Sequence, residues 1–228
     1  MSNNSSNREN DSELFNIHNY NISLKNRELY LHSYQDVQEE EGVEFRSAII
    51  FEKNIRYLNS ISIEPILVHM HLPGGSWGDC MGIYDTIKLS KSKIIILAYG
   101  SVESASSVIL QAADLRVLMP NTNVLIHYGS ISVDNEHKAA LSWVQWSEKE
   151  SEKMIDIFTE KYLASDVAKT KKLKKMIAKK HIISQLANKC DWILTAQEAV
   201  GYNFADGVLG SKKYPNLDSL KDIIKYER

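Results

Sequence analysis

Three apolar runs, each closed by small or polar residues, set the rhythm of the chain's middle. "PILVHMHL" (Pro65 to Leu72), "KIIILAYG" (Lys93 to Gly100) and "NVLIHYG" (Asn123 to Gly129) are short, and the second is rich in β-branched residues. Such runs predict strands. Between the first two lies "GDCMGIYDTIKLSK" (Gly78 to Lys91), whose Cys80, Ile83, Tyr84 and Ile87 share one face of a helix. Between the last two lies "SASSVILQAAD" (Ser104 to Asp114), with Ala105, Val108, Ile109 and Ala112 at i, i+3, i+4, i+7 spacing. Strand, helix, strand, helix, strand predicts repeated βαβ units with right-handed crossovers. The fold class is therefore α/β with a largely parallel sheet.

The flanks extend this pattern. "RELYLHSY" (Arg27 to Tyr34) alternates as a strand, the acidic "VQEEEGVEF" after it predicts a solvated stretch, and "RSAIIFEKNIRYLNSIS" reads as a helix. From Val133 to Leu163 the spacing predicts one long helix. Apolar residues sit at its two ends (Leu141, Trp143, Val144, Trp146; Met154, Ile155, Phe158, Tyr162), around the polar "SEKESEK". A helix so divided projects from the body and buries its ends separately. Residues 1–20 are polar and predict a disordered leader. Residues 21–228 form a single domain, and there is no repeat of solenoid period.

Composition narrows the partners. With 228 residues, 43% of them hydrophobic, the chain can bury a full core. A net charge of −2 gives no global attraction to nucleic acid, and the seven lysines of "KTKKLKKMIAKK" (Lys169 to Lys180) read as a solvated helix face. The longest apolar stretch, "IIILAY", is far too short to span a bilayer, and the start lacks the apolar core of a secretory signal. Cys80 and Cys190, far apart, read as buried thiols of a reducing compartment, so the expected location is the cytoplasm. His69 and His71 share a strand face, the geometry of a two-ligand metal site, but no third ligand accompanies them, and neither metal nor cofactor is expected.

The chemistry concentrates at the strand ends. "YGSVESASSVIL" holds Ser101, Ser104, Ser106 and Ser107. Ser104 falls where the strand gives way to the helix, whose free amides and dipole favour developing negative charge. Ser106 and Ser107 lie deeper, where hydroxyls bond back to the preceding turn. "HLPGGSWGD" also follows a strand, and its paired glycines permit close backbone approach. His127 ends the next parallel strand on the same sheet edge. Residue chemistry alone leaves all of these readable as caps and turns. Together they have the parts of acyl chemistry: a hydroxyl, a base and converging amides.

In this order and spacing the residues resemble the Clp protease proteolytic subunits, serine peptidases of the ClpP/crotonase fold. The resemblance rests on "LPGG" (Leu72 to Gly75), "IYDT" (Ile83 to Thr86), "GSVES" (Gly100 to Ser104) and "PNTNVLIH" (Pro120 to His127). It is completed by Asp191 before "TAQEAVGYNFAD" (Thr195 to Asp206). It implies Ser104 as nucleophile, His127 as base and Asp191 as the acid that orients it, with backbone N–H groups of Gly75 and Ala105 as the oxyanion hole. Apolar neighbours in "NKCDWIL" predict that Asp191 is buried. The resemblance also implies a projecting handle helix at about 130–165 and a homo-oligomeric ring, a heptamer, with the stacking of rings left open. The subunit would hydrolyse unfolded polypeptide without ATP, fed by a separate AAA+ unfoldase, because the chain carries no phosphate-binding loop of its own.

Some positions depart from that family. Glu103 precedes the nucleophile where a small residue is usual, Ala105 replaces methionine, and the strand after His127 keeps one glycine in "YGSISVDNEHKAAL". A polar His69 sits on the strand that in the family helps form the unfoldase-docking pocket. Three alternatives stay open on this reading: a catalytically silent ring subunit, a phage capsid-processing protease, and a crotonase-type acyl-CoA enzyme.

Overall fold

Strict alternation along one central strand decides the layering. In the strand Ile94–Glu103, Ile94, Ile96 and Ala98 join one hydrophobic core while Ile95 and Leu97 join another, and all five are fully buried. A strand buried on both faces needs cover on both faces. The computed structural model describes residues 2–32, 35–36, 39–40, 42–134 and 136–226, and that cover is seen throughout.

In chain order the elements are α1 (Ser2–Tyr20), β1 (Ile22–Ser23), β2 (Glu28–His32), β3 (Gln35–Asp36), β4 (Glu39–Glu40), α2 (Phe45–Ile61), β5 (Ile66–Leu72) and α3 (Trp77–Lys88). There follow β6 (Ile94–Glu103), α4 (Ala105–Leu110), β7 (Leu115–Leu118), β8 (Asn123–Ile126), α5 (His137–Leu163), α6 (Asp166–Thr170) and α7 (Lys175–Lys189). The last are β9 (Trp192–Thr195), α8 (Ala196–Gly201), β10 (Gly207–Val208) and α9 (Ser219–Tyr226). The main sheet runs β1-β2-β5-β6-β7-β10, with β8 branching from β6 and β9 pairing β8. Of its pairings, β1–β2 and β8–β9 are antiparallel and the rest parallel. This is the α/β, largely parallel architecture that the strand-helix rhythm predicts.

The larger core lies between the sheet and the helices α2 to α5, α7 and α8; the smaller one, with Tyr214, Leu220 and Ile224, lies on the opposite face. A buried ion pair ties sheet to helices. Arg116 of β7 donates through Nη2 and Nε to Asp206 (2.6 and 3.0 Å), and through Nη1 to Gln111 Oε1 (3.0 Å) and Asn203 O (2.8 Å). Its side chain is 5% exposed, so these bonds satisfy a cation that water cannot reach.

Several expectations need correction. The leader is helical from Ser2 to Tyr20. Its end is fastened by a Ser23 hydroxyl bond to Glu13 and by Asn54 Nδ2 donating to Tyr20 O (2.6 Å), and within its last turns Phe15 packs edge-to-face on Tyr20. The strand expected to stop at Gly100 continues to Glu103, because Gly100 takes φ +57 and lets β6 bend from β7 to β8. The run "LRVL" forms β7, which the sequence reading missed. The long helix starts at His137 instead of Val133. Its C-terminal half is buried at Met154, Ile155, Phe158 and Tyr162, whereas Leu141, Trp143, Val144 and Trp146 stay exposed. Cys190 is exposed, since it caps α7 in a left-handed conformation (φ 57). Ser33, Tyr34, Val37, Gln38, Glu41 and Asn135, which belong to expected elements, lie outside the described residues. Among the described residues no helix is long and apolar enough to cross a membrane.

Two predictions follow from the buried charges. Asp206→Ala strands Arg116 in the core and is expected to cost about 3–5 kcal/mol, read from urea unfolding. The second concerns Lys161. Burial, then the nearby Arg116 and Lys88 charges, pull its ammonium down to about 8 from 10.5. The unfolded chain therefore binds this proton more tightly, and stability should rise as pH climbs from about 8 to 10.5. Lys161→Met is expected to melt above the wild type at pH 7, by a margin that shrinks toward pH 10. A margin independent of pH contradicts this account.

Candidate active site

The register of β8 sets the site. In the parallel pairing with β6, Glu103 faces Leu125, and the next amide, Ser104 N–H, donates to Leu125 O (2.9 Å). In the antiparallel pairing with β9, Ile126 faces Trp192. One step beyond that pair stand His127 and Asp191, directly opposite each other. Their side chains meet there: His127 Nδ1 to Asp191 Oδ1 is 3.0 Å. Two strand pairings thus deliver three residues, 64 positions apart at the extreme of the His–Asp contact, to one sheet edge.

Ser104 occupies the junction between β6 and α4 with φ 52 and ψ −121. That conformation is unfavourable for any residue but glycine and persists only when its surroundings hold it. They do so through the other serines. Ser106 Oγ donates to Leu72 O (2.5 Å) or Glu103 O (2.7 Å) and accepts from Glu103 N–H (2.9 Å), while Ser107 Oγ donates to Ser104 O (2.6 Å). Both are fully buried, as expected for hydroxyls that bond back to the turn. Cys80 Sγ donates to Ala105 O (3.2 Å), and burial pushes that thiol up to about 12, so it stays a neutral donor. Of Ser104, Ser106 and Ser107, only the half-buried Ser104 lines the cleft.

The glycine turn approaches from β5. Val43 forms an isolated parallel bridge with Gly75, donating from its N–H to Gly74 O (2.9 Å) and accepting from Ser76 N–H (2.8 Å). That bridge leaves the Gly75 amide outside it. At Gly74 an added Cβ would overlap Ser104 Cβ and lie 2.9 Å from Ser104 Oγ, so only glycine lets the two turns come this close. Gly75, Ala105, Ser104, His127 and Asp191 all line one cleft of about 1100 Å³, walled by Val108, Leu125, Met154 and Ile155.

Each sequence-predicted residue therefore reaches the same cleft, with two qualifications. No hydrogen bond joins Ser104 Oγ to His127 among the described residues. Asp191, expected buried by its apolar neighbours, is 60% exposed, because Trp192 and Leu194 alternate into the core while Asp191 sits just before the strand, after Cys190. Behind it Trp192 packs edge-to-face on Tyr202 (4.9 Å) and Phe204 (5.7 Å), which the sequence reading did not single out. Of the two strand histidines, His69 is engaged by neighbours: its Nδ1 bonds Tyr99 Oη (2.8 Å), and its Nε2 lies 3.5 Å from Glu28. The lysine-rich stretch spans α6 and α7, with Lys175 paired to Glu160 and Lys179 to Asp156.

Comparison with known proteins places this geometry. The chain is 36% identical over 91 residues to the ATP-dependent Clp protease proteolytic subunit 2 of Pseudomonas aeruginosa, covering 39% of this chain and 45% of that protein. It is 28% identical over 162 residues to the subunit 2 of Mycobacterium leprae, covering 67% of each. The first relatives are spanned over only about half their length, 45% and 53%. A mutant of ClpP1 from Listeria monocytogenes superposes with a TM-score of 0.63 at 20% identity, over 80% of this chain and 92% of that one, a likeness of fold. A model of the Clp protease family matches residues 28–212, most of the chain's length and every strand of the site, and the chain belongs to that family.

Proposed function

We propose that the chain is a serine endopeptidase subunit that hydrolyses peptide bonds of unfolded polypeptides, with Ser104 as nucleophile, His127 as general base and Asp191 as its orienting acid. The observation that carries this reading is the His127–Asp191 bond at the mouth of the cleft that also holds Ser104. With Nδ1 donating to Asp191, Nε2 is left as the acceptor that can take the Ser104 proton. Asp191 then stabilises the imidazolium, and the proton passes on to the leaving amine. The negative charge that develops on the carbonyl oxygen needs two donors, a role this reading gives to the amides of Gly75 and Ala105, both of which line the cleft. The missing Ser104–His127 bond has to form on substrate binding, as is common for hydrolases at rest.

Family membership supports assembly into a ring enclosing a chamber, fed by a separate AAA+ unfoldase. The exposed Leu141, Trp143, Val144 and Trp146 on α5 supply an apolar surface for contact between such rings. A second reading, a silent ring subunit, draws on one observation: the unmade Ser104–His127 bond.

The test is a fluorophosphonate probe with the adduct located by mass spectrometry. Ser104 is expected to be modified, and His127→Ala to slow labelling by about a thousandfold. An assembled protein that takes no label is the silent subunit, and binding of acyl-CoA would point to crotonase chemistry. Gly74→Ala should push Ser104 from its position and slow labelling by about a hundredfold, measured on the same probe.

A further inference from the structure

The residue before the proposed nucleophile carries a carboxylate for which the hydrolytic steps have no use. Glu103, Leu125 and Ile193 form one row across β6, β8 and β9. The neighbouring row, Val102, Val124 and Leu194, is buried in the core, so Glu103 leaves the sheet on the opposite face. There it is half-buried and lines the cleft beside Ser104 and Leu125. Its N–H and C=O are both engaged by Ser106 Oγ. Its carboxylate has no hydrogen-bond or ion-pair partner among the described residues.

A carboxylate partly removed from water without a counter-charge is destabilising, and the cost is offset when a cation arrives. Among the described residues no lysine or arginine lines the cleft, and its one imidazole, His127, is already paired with Asp191. The other carboxylates there differ in kind: Asp191 is taken by His127, Glu150 accepts from Trp146 Nε1 (2.6 Å), and Glu148 and Glu152 stand exposed to water on α5. Glu103 is one residue, about 3.8 Å of backbone, from Ser104, a separation that a single substrate side chain covers.

We propose that Glu103 is a specificity-determining residue, its carboxylate pairing with a lysine or arginine side chain of the polypeptide next to the bond that Ser104 attacks. This rests on the peptidase reading above and narrows it. The apolar walls, Val108, Met154 and Ile155, take the neutral side chains on either side of that cation. The pair would be a charge-assisted hydrogen bond in a cleft half-shielded from solvent, which is where such bonds gain most.

The experiment uses the full chain and quenched fluorescent peptides that differ only by lysine, glutamine or glutamate at each position flanking the scissile bond. Products are assigned by mass spectrometry. The lysine peptide is expected to exceed its glutamine counterpart by about tenfold in kcat/KM at one position, with the preference falling as salt is raised. Glu103→Gln should bring that ratio to about one, and Glu103→Lys should turn it toward glutamate. The salt dependence of the wild type tests the idea even where a variant does not fold. Wild-type protein that labels at Ser104 but shows no lysine preference overturns this inference and leaves the peptidase reading standing. So does a Glu103→Gln protein whose rings dissociate while the wild type has no preference, which assigns the carboxylate to a subunit contact. Absence of both labelling and hydrolysis overturns the two together.

Discussion

Everything at the site hangs on β8, a strand of four residues that pairs parallel with β6 on one side and antiparallel with β9 on the other. The first pairing places Ser104 and the second places His127 against Asp191. Strand periodicity is two, so a slip of one residue in either pairing would turn a side chain of the site into the core. The register is held by what the strand buries. Val124 and Ile126 are fully enclosed, and Trp192 and Leu194 face them from β9 into the same core. The aromatic stack of Trp192, Tyr202 and Phe204 behind them makes the alternative pairing costly.

The density of serines around Ser104 has the same origin. Holding one residue at φ 52 costs on the order of 1–3 kcal/mol, and the structure must recover it locally. Ser106 and Ser107 do so with buried hydroxyl bonds, each worth about 1 kcal/mol. Gln111 continues the chain, donating to Ser107 O and Phe204 O (both 3.1 Å) and accepting from Arg116, which Asp206 holds. Larger residues at 106 and 107 would neither fit nor bond there. One serine is left facing the cleft because the others are consumed in keeping it there.

How far this could be read from sequence follows from what each signal measures. Apolar runs bounded by small residues gave β5, β6 and β8 and their connecting helices, because burial on two faces leaves a continuous apolar mark. The short β7 was missed: its Arg116 interrupts the run, and only the structure shows that a half-buried Asp206 neutralises it. Gly100 read as a strand end because glycine ends strands, whereas here it bends one between two partners. Burial of Asp191 was inferred from its neighbours' hydropathy, but a left-handed cap at Cys190 leads into a strand whose Trp192 and Leu194 point inward, leaving Asp191 outside. The polar leader forms α1, because contacts from its end to the body, Glu13 to Ser23 and Tyr20 O to Asn54, override a composition that alone predicts no helix. The convergence of Ser104, His127 and Asp191 came from the family's motif order, since no local pattern encodes a contact 64 residues apart.

Solvent sets the limit on what this arrangement does as a lone chain. His127 is 30% and Asp191 60% exposed, so their attraction is screened and an exposed pair of this kind contributes little. The same geometry gains strength when water leaves, because the Coulomb term grows as the effective dielectric falls. A polypeptide laid along the cleft would cover His127 and bring its carbonyl between the Gly75 and Ala105 amides. It would also leave Ser104 Oγ with Nε2 as its nearest acceptor. On the proposed reading the substrate is thus part of the catalytic electrostatics: the exposed acid and the free hydroxyl are the resting form of a site that its substrate completes.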